Sequence, residues 1–188
     1  MSPVITILLA AAPAVPAGSA PLVSEAVKLV GADRINTHTL ETVWNGKRTI
    51  FVDYPNRCDE AGDDCLKLYA VQSSNRGLVG IKVAEVEPEG GEPELAAIGF
   101  ANADRDAAKE LIVVLEWPQN HYDYGGSFIE VRLFDDVKLG QSALAPLSKL
   151  SKHFGLGCEC SYHDGRKPEH YRFRTIAAVR RELKRLGY

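Results

Sequence analysis

The sequence lacks the short motifs by which many enzymes are recognised. It has no Gly-x-Ser-x-Gly nucleophile elbow, no His-Glu-x-x-His helix, no P-loop and no dinucleotide fingerprint. That absence lowers the weight of a catalytic reading without excluding one. A basic surplus is also missing: 22 Lys and Arg stand against 25 Asp and Glu, for a net charge of −3. Nucleic-acid surfaces are usually basic, so nucleic acid is not an expected partner. Past the N-terminus no segment is apolar enough to span a bilayer, which takes about 20 apolar residues. Long repeats, linkers and low-complexity tracts are absent beyond the N-terminus. Cysteine is sparse, at four residues.

What is present suffices for one domain. A chain of 188 residues with 45% hydrophobic content can build a core of its own. Residues 4–12 form an apolar run of signal-peptide length, followed by small residues and prolines through Ala20. Residues 1–20 therefore read as a leader cleaved after Ala17 or Ala20, and residues 21–188 as a single domain. Met1-Ser2-Pro3 carries no Lys or Arg, so the basic start of such a leader is missing. The competing reading is a buried apolar strand. Export implies a periplasmic or secreted protein in an oxidising compartment.

Residues 24–29 are a short amphipathic stretch. Residues 40–44 and 47–54 flank Asn45-Gly46, the strongest short hairpin signal, because a type I′ turn needs two positive φ values. Residues 66–71 and 78–87 read as further strands, and residues 85–94 as an acidic Pro/Gly surface loop. Residues 95–100 and 110–117 make an antiparallel pair, joined next by 127–134, with Asp135-Asp136 ending the run. A helix is expected over 142–154, with Pro146 in its first turn, and a last helix from the Thr175 cap through Leu186, ended by Gly187. Strands followed by helices imply an α+β fold: a mainly antiparallel β-sheet with two C-terminal helices packed on one face or edge.

The sharpest chemical signal is the stretch from Asn102 to Val114. Oxygen-bearing side chains alternate at Asn102, Asp104 and Asp106, a fourth stands at Glu110, and an apolar strand follows. A tight loop presents oxygens from alternate residues, and Ca2+ takes six to eight of them. The stretch, with Gly99-Phe100 before it and Leu111-Ile112-Val113-Val114 after it, resembles a single FG-GAP-type repeat, the integrin-propeller calcium loop of the form D-x-D-x-D-G-x-x-D/E-L-I-V. The resemblance covers residues 99–114. It implies a strand–loop–strand unit with Ca2+ held by Asn102, Asp104, Asp106 and Glu110, the carbonyl of Ala108 adding a backbone ligand. The usual Gly after the third acid is Ala107 here, the first ligand is Asn, and Arg105 adds a positive charge. One copy cannot make a propeller, which needs about four to eight blades. Without a metal, the same loop reads as a polar turn held by Asp and Asn bonds to its own backbone.

Residues 116–126 are aromatic and polar, with Trp117, His121, Tyr122 and Tyr124 as candidate partner-binding residues. Such side chains give large rigid contact area at small entropic cost. They point to another protein or a cell-envelope component as partner, a toxin-immunity or inhibitor protein being one example. The alternative use of Trp117 and one Tyr is to cover a sheet end. A different function class is a small metal-dependent envelope hydrolase, with His121 and Asp123 working with the 102–110 carboxylates.

Three readings of the cysteines stand. Cys58 with Cys65 and Cys158 with Cys160 make two local disulfides, or the two pairs cross, since connectivity is not deducible from sequence. The third reading is a zinc site from His153, Cys158, Cys160 and His163 in a reducing compartment. Eight basic residues crowd positions 166–185. They read as the solvated face of an amphipathic helix or as an anion-binding surface.

Overall fold

The computed structural model describes residues 19–32, 37–58, 64–104 and 106–188. Most of the expected leader, residues 1–18, lies outside the described residues, as do Arg105 and residues 59–63.

The α+β expectation is overturned. The chain is mostly antiparallel β, in two four-stranded sheets, with three small helices among the described residues. After α1 (Ser19–Leu29), strands β1 (His38–Trp44), β2 (Lys47–Arg57), β3 (Asp64–Ser74) and β4 (Gly77–Val86) form the first sheet in chain order. Strands β5 (Glu94–Ala101), β6 (Glu110–Asn120), β7 (Tyr124–Phe134) and β8 (Leu156–Tyr162) form the second, also in chain order. Helices α2 (Ser148–Phe154) and α3 (Ile176–Leu186) flank β8 in the sequence. One sheet became two because period-two alternation reports which residues share a face, not which strands share a sheet.

The Asn45-Gly46 hairpin forms as expected, with φ of 48° and 76°. Alternation then sorts the side chains. Phe51, Leu66, Leu68, Ile81 and Val83 of the first sheet face Leu111, Val113, Leu115 and Trp117 of the second, and this is the main core. Phe100 reaches across that interface, stacking 5.6 Å from Trp44 and lying 6.1 Å from Phe51. The outer face of the first sheet (Ile50, Val52, Tyr54 and Val71) is covered by α1 through Ala26. The outer face of the second (Ile112, Val114, Ile129, Val131 and Leu133) packs on Phe154, Val179 and Leu183 of α2 and α3. With both faces of β6 covered, its apolar run is unbroken: Leu111 to Leu115 are each at most 1% exposed. Burying each such side chain contributes roughly 1.5–3 kcal/mol.

The helix expected over 142–154 is shorter, starting at Ser148. Its first part is an extended strap that closes both sheets. Lys82 N donates to Ser142 O (2.9 Å) and Leu144 N to Lys82 O (2.8 Å), along β4. Asp135 N donates to Ala145 O (2.9 Å) and Leu147 N to Leu133 O (2.8 Å), where β7 runs on past the end of β8. Two sheet edges offer backbone partners that a helix would leave unpaired, and Pro146 disfavours helical backbone at Ala145.

The last helix matches its expectation. Thr175 Oγ1 accepts from Ala178 N (3.2 Å), and Gly187 closes it at φ 92°. Its basic residues are not all free in solvent. Glu182 is 3% exposed. Its carboxylate accepts from Arg185 (2.9 and 2.7 Å) and Arg172 (2.7 Å), with His153 Nε2 at 2.9 Å. Arg185 and His153 hold its pKa down from 4.5 to about 2, against the opposing effect of burial. A depressed carboxylate stabilises the fold above its unfolded pKa and loses that contribution as pH falls through the folded one. Glu182→Gln should therefore melt below wild type at pH 7, and the gap should close as pH falls from about 5 towards 2. Melts across that range check this; a gap independent of pH would contradict it.

Candidate metal centre and recognition surface

The loop between β5 and β6 is built around its last residue. Ala101 pairs with Glu110 across the two strands, so the chain must turn back on itself over Glu110. The Glu110 side chain is fully buried, at 0% exposure. Its Oε2 accepts the backbone N–H of Ala103 and that of Asp104 (3.3 Å). Among the described residues its Oε1 is buried without a hydrogen-bond partner. Burial is the main influence on its acidity and pushes the pKa up; the Ala103 N–H opposes this, and the charge of Asp104 adds to it.

Asp104 and Asp106 shape the turn. Asp104 Oδ1 accepts from Asp106 N (2.8 Å), and Asp106 Oδ1 accepts from Ala108 N (2.7 Å). These are the side-chain-to-backbone bonds expected of Asp in tight turns. Carboxylate oxygens of Asp104, Asp106 and Glu110 lie within 4.8 Å of one another. Three of the four candidate ligands are thus brought together, and Asn102 stands exposed before them.

Glu110 also belongs to a second triad, with Asp135 and Asp136, on the same distance limit. In the sequence alone these two mark only the end of a strand. The signal was in the register: Leu111 pairs with Phe134, so one step on sets Asp135 beside Glu110. Lys138 sits among these acids, its Nζ 3.4 Å from Asp106 Oδ2, 3.4 Å from Asp135 Oδ1 and bonded to Asp136 Oδ1. Those bonds, led by that to Asp136, raise the Lys138 pKa well above its ordinary value.

The first sheet grips the loop from below. Trp44 Nε1 donates to Lys109 O (2.6 Å), Asn45 Nδ2 donates to the same oxygen (3.0 Å), and Lys109 N donates to Asn45 Oδ1 (2.8 Å). The β1–β2 turn thus clamps the root of the acidic loop. An all-oxygen donor set suits hard cations such as Ca2+, Mg2+ and Mn2+. The partnerless Glu110 Oε1 is the atom that such an ion would satisfy.

The aromatic stretch divides. Trp117, 3% exposed, lies in the inter-sheet core, and its Nε1 donates to Glu87 O (2.9 Å). Gln119 Nε2 likewise donates to Glu89 O (2.9 Å), so the acidic loop after β4 is pinned here. The expected loop is largely strand: β6 continues through Pro118, where β5 no longer pairs beside it, an edge-like place that tolerates Pro. His121, Tyr122 and Tyr124 form the hairpin tip. Tyr122 is 100% exposed. His121 stacks on Tyr124 with centroids 4.5 Å apart, Tyr162 lies 6.2 Å from Tyr124, and Arg166 sits 4.0 Å over the Tyr162 ring. His163 N donates to Asp123 O, and His163 Nδ1 lies against Tyr122 O, both at 2.9 Å.

This geometry separates the parts of the hydrolase alternative. Glu110 starts β6, and His121 follows its end. Eleven residue steps place them roughly 36 Å apart, so His121 and Asp123 cannot share a metal with the acidic loop. The zinc set is not assembled either. Cys158 pairs with Cys160 (Cα–Cα 5.3 Å) and Cys58 with Cys65 (Cα–Cα 5.2 Å), while His153 serves Glu182 and His163 serves the hairpin tip. Both cysteine pairs are local rather than crossed. Among the described residues no helix is long and apolar enough to cross a membrane.

Compared with known proteins, the chain matches no family model, no curated protein and no solved structure. Nothing in these comparisons shows an FG-GAP repeat.

Proposed function

We propose that the chain is an exported, non-catalytic binding domain that recognises another protein or an envelope component through the β6–β7 hairpin tip, with Ca2+ bracing the FG-GAP-like loop at the other end of β6. The carrying observation is the fully exposed Tyr122 in the β6–β7 turn, next in sequence to His121 of the His121, Tyr124 and Tyr162 ring cluster. A large aromatic ring left wholly in water has no part in the fold's stability. Rigid Tyr side chains with an Arg nearby are the composition of interface hot spots. Trp117, taken up by the core, is not part of this surface. Export is supported by the two disulfide-distance cysteine pairs, since disulfides persist mainly in oxidising compartments.

Ca2+ is supported by the oxygen-only triad and by the buried partnerless oxygen of Glu110. Asp104 and Glu110 would hold the ion, with Asp106 beside them. Asn102 would have to turn in from its exposed position.

Two measurements test this reading. With a photo-crosslinking amino acid at position 122, the cell that makes the protein should yield a discrete adduct, while the same label at Leu139, which is equally exposed, should yield none. Equal labelling from both positions, or none from position 122, would sink the recognition surface. Separately, Ca2+ at 100 times its dissociation constant should stabilise the fold by roughly 2.7 kcal/mol over EDTA, raising the melting midpoint by about 5–10 °C. Mg2+ should do less, and Asp104→Ala should abolish the Ca2+ effect. A midpoint unmoved by Ca2+ would remove the metal from the account.

A further inference from the structure

The acidic loop does not stand alone. Two triads of carboxylates from separate segments share Glu110: Asp104 and Asp106 join it from the β5–β6 loop, and Asp135 and Asp136 join it from the end of β7. Glu110 is common to both triads. It is fully buried, and one of its oxygens has no partner among the described residues. The charge that answers this cluster comes from within the chain, because the Lys138 ammonium touches Asp106, Asp135 and Asp136 together. An ammonium is a compact cation on a flexible stem that can swing out to water. A divalent cation carries twice its charge and takes six to eight oxygens, where an ammonium has only three donors.

We propose that Asp135 and Asp136 complete a two-segment Ca2+ site centred on Glu110, and that Lys138 is a tethered competitor which holds the place and swings out when Ca2+ enters. This rests on the reading that the 102–110 loop binds Ca2+, and adds to it a second set of ligands and a built-in limit on affinity. The ion would then tie the β5–β6 loop to the end of β7. Because Asp135 also donates its backbone N–H to Ala145 of the strap, the tie would reach the segment that closes both sheets. Removing the competing ammonium should tighten binding, and removing a carboxylate of the second segment should weaken it.

The experiment is a calorimetric titration of the full disulfide-bonded chain with Ca2+, comparing wild type with Lys138→Gln, Asp136→Asn, Asp135→Asn and Asp104→Asn. Circular dichroism in EDTA confirms that each variant folds. Ca2+ affinity tracks ligand charge, so Lys138→Gln should bind about tenfold more tightly, and each Asp→Asn change should bind about tenfold more weakly. Wild-type binding that is lost in Asp104→Asn but unchanged in the Lys138, Asp135 and Asp136 variants would overturn the two-segment site and leave the loop reading intact. Binding absent from wild type but present in Lys138→Gln would support the competitor role directly. Binding absent from every protein, Lys138→Gln included, would overturn both.

Discussion

A single buried carboxylate sets the terms for one end of this molecule. Glu110 opens an inner strand of the second sheet with no exposure to water. A charge in that position must be answered by hydrogen bonds or by a counter-ion, or its proton must stay on. The chain answers half of the demand. Two backbone N–H groups of the loop fold back onto Oε2, and this wraps the loop over the strand's start. The other oxygen is left over, on a residue that two acid triads share. The clamp from Trp44 and Asn45 fixes this arrangement to the first sheet, so the acidic centre sits at a joint between the two sheets.

The division of labour along β6 follows. At its start a buried carboxylate gathers backbone N–H groups; in its middle an unbroken apolar run fills the cores on both faces; at its end an aromatic tip stands in solvent. The strand is the rod on which both proposed activities are mounted. Its length also keeps them apart, which is why His121 and Asp123 have no access to the carboxylates. One face of the rod packs on the first sheet and the other on α2 and α3.

Much of the local structure was legible in the sequence. Asn45-Gly46 dictates its turn through φ alone, Thr175 and Gly187 bound their helix by capping chemistry, and the alternation of β7 is plain. Of the four candidate ligands in the acidic loop, Asp104, Asp106 and Glu110 do cluster, while Asn102 stands exposed. Legibility failed where a partner distant in sequence decides the outcome. The split into two sheets depends on which apolar faces meet, and no periodicity encodes that. Residues 142–147 carry a helical pattern but are drawn straight by the open edges of β4 and β7. Strand β8, hidden in a Gly- and Cys-rich stretch, forms because β7 offers it a ladder from Tyr124 to Glu130. Trp117 looks like a recognition residue in a polar context, but alternation from Leu111 places it on the core face. Asp135 and Asp136 joined the site only through the register of β7 on β6.

The most direct test of the account is a crystal structure grown in Ca2+, with the ion identified by its anomalous signal. The account predicts one ion about 2.3–2.6 Å from a Glu110 carboxylate oxygen, the usual Ca2+–oxygen distance, with acids of the β5–β6 loop and of the β7 end around it and the Lys138 ammonium displaced. Crystals that bind Ca2+ elsewhere, or none at Glu110 with Lys138 still among the acids, would contradict it.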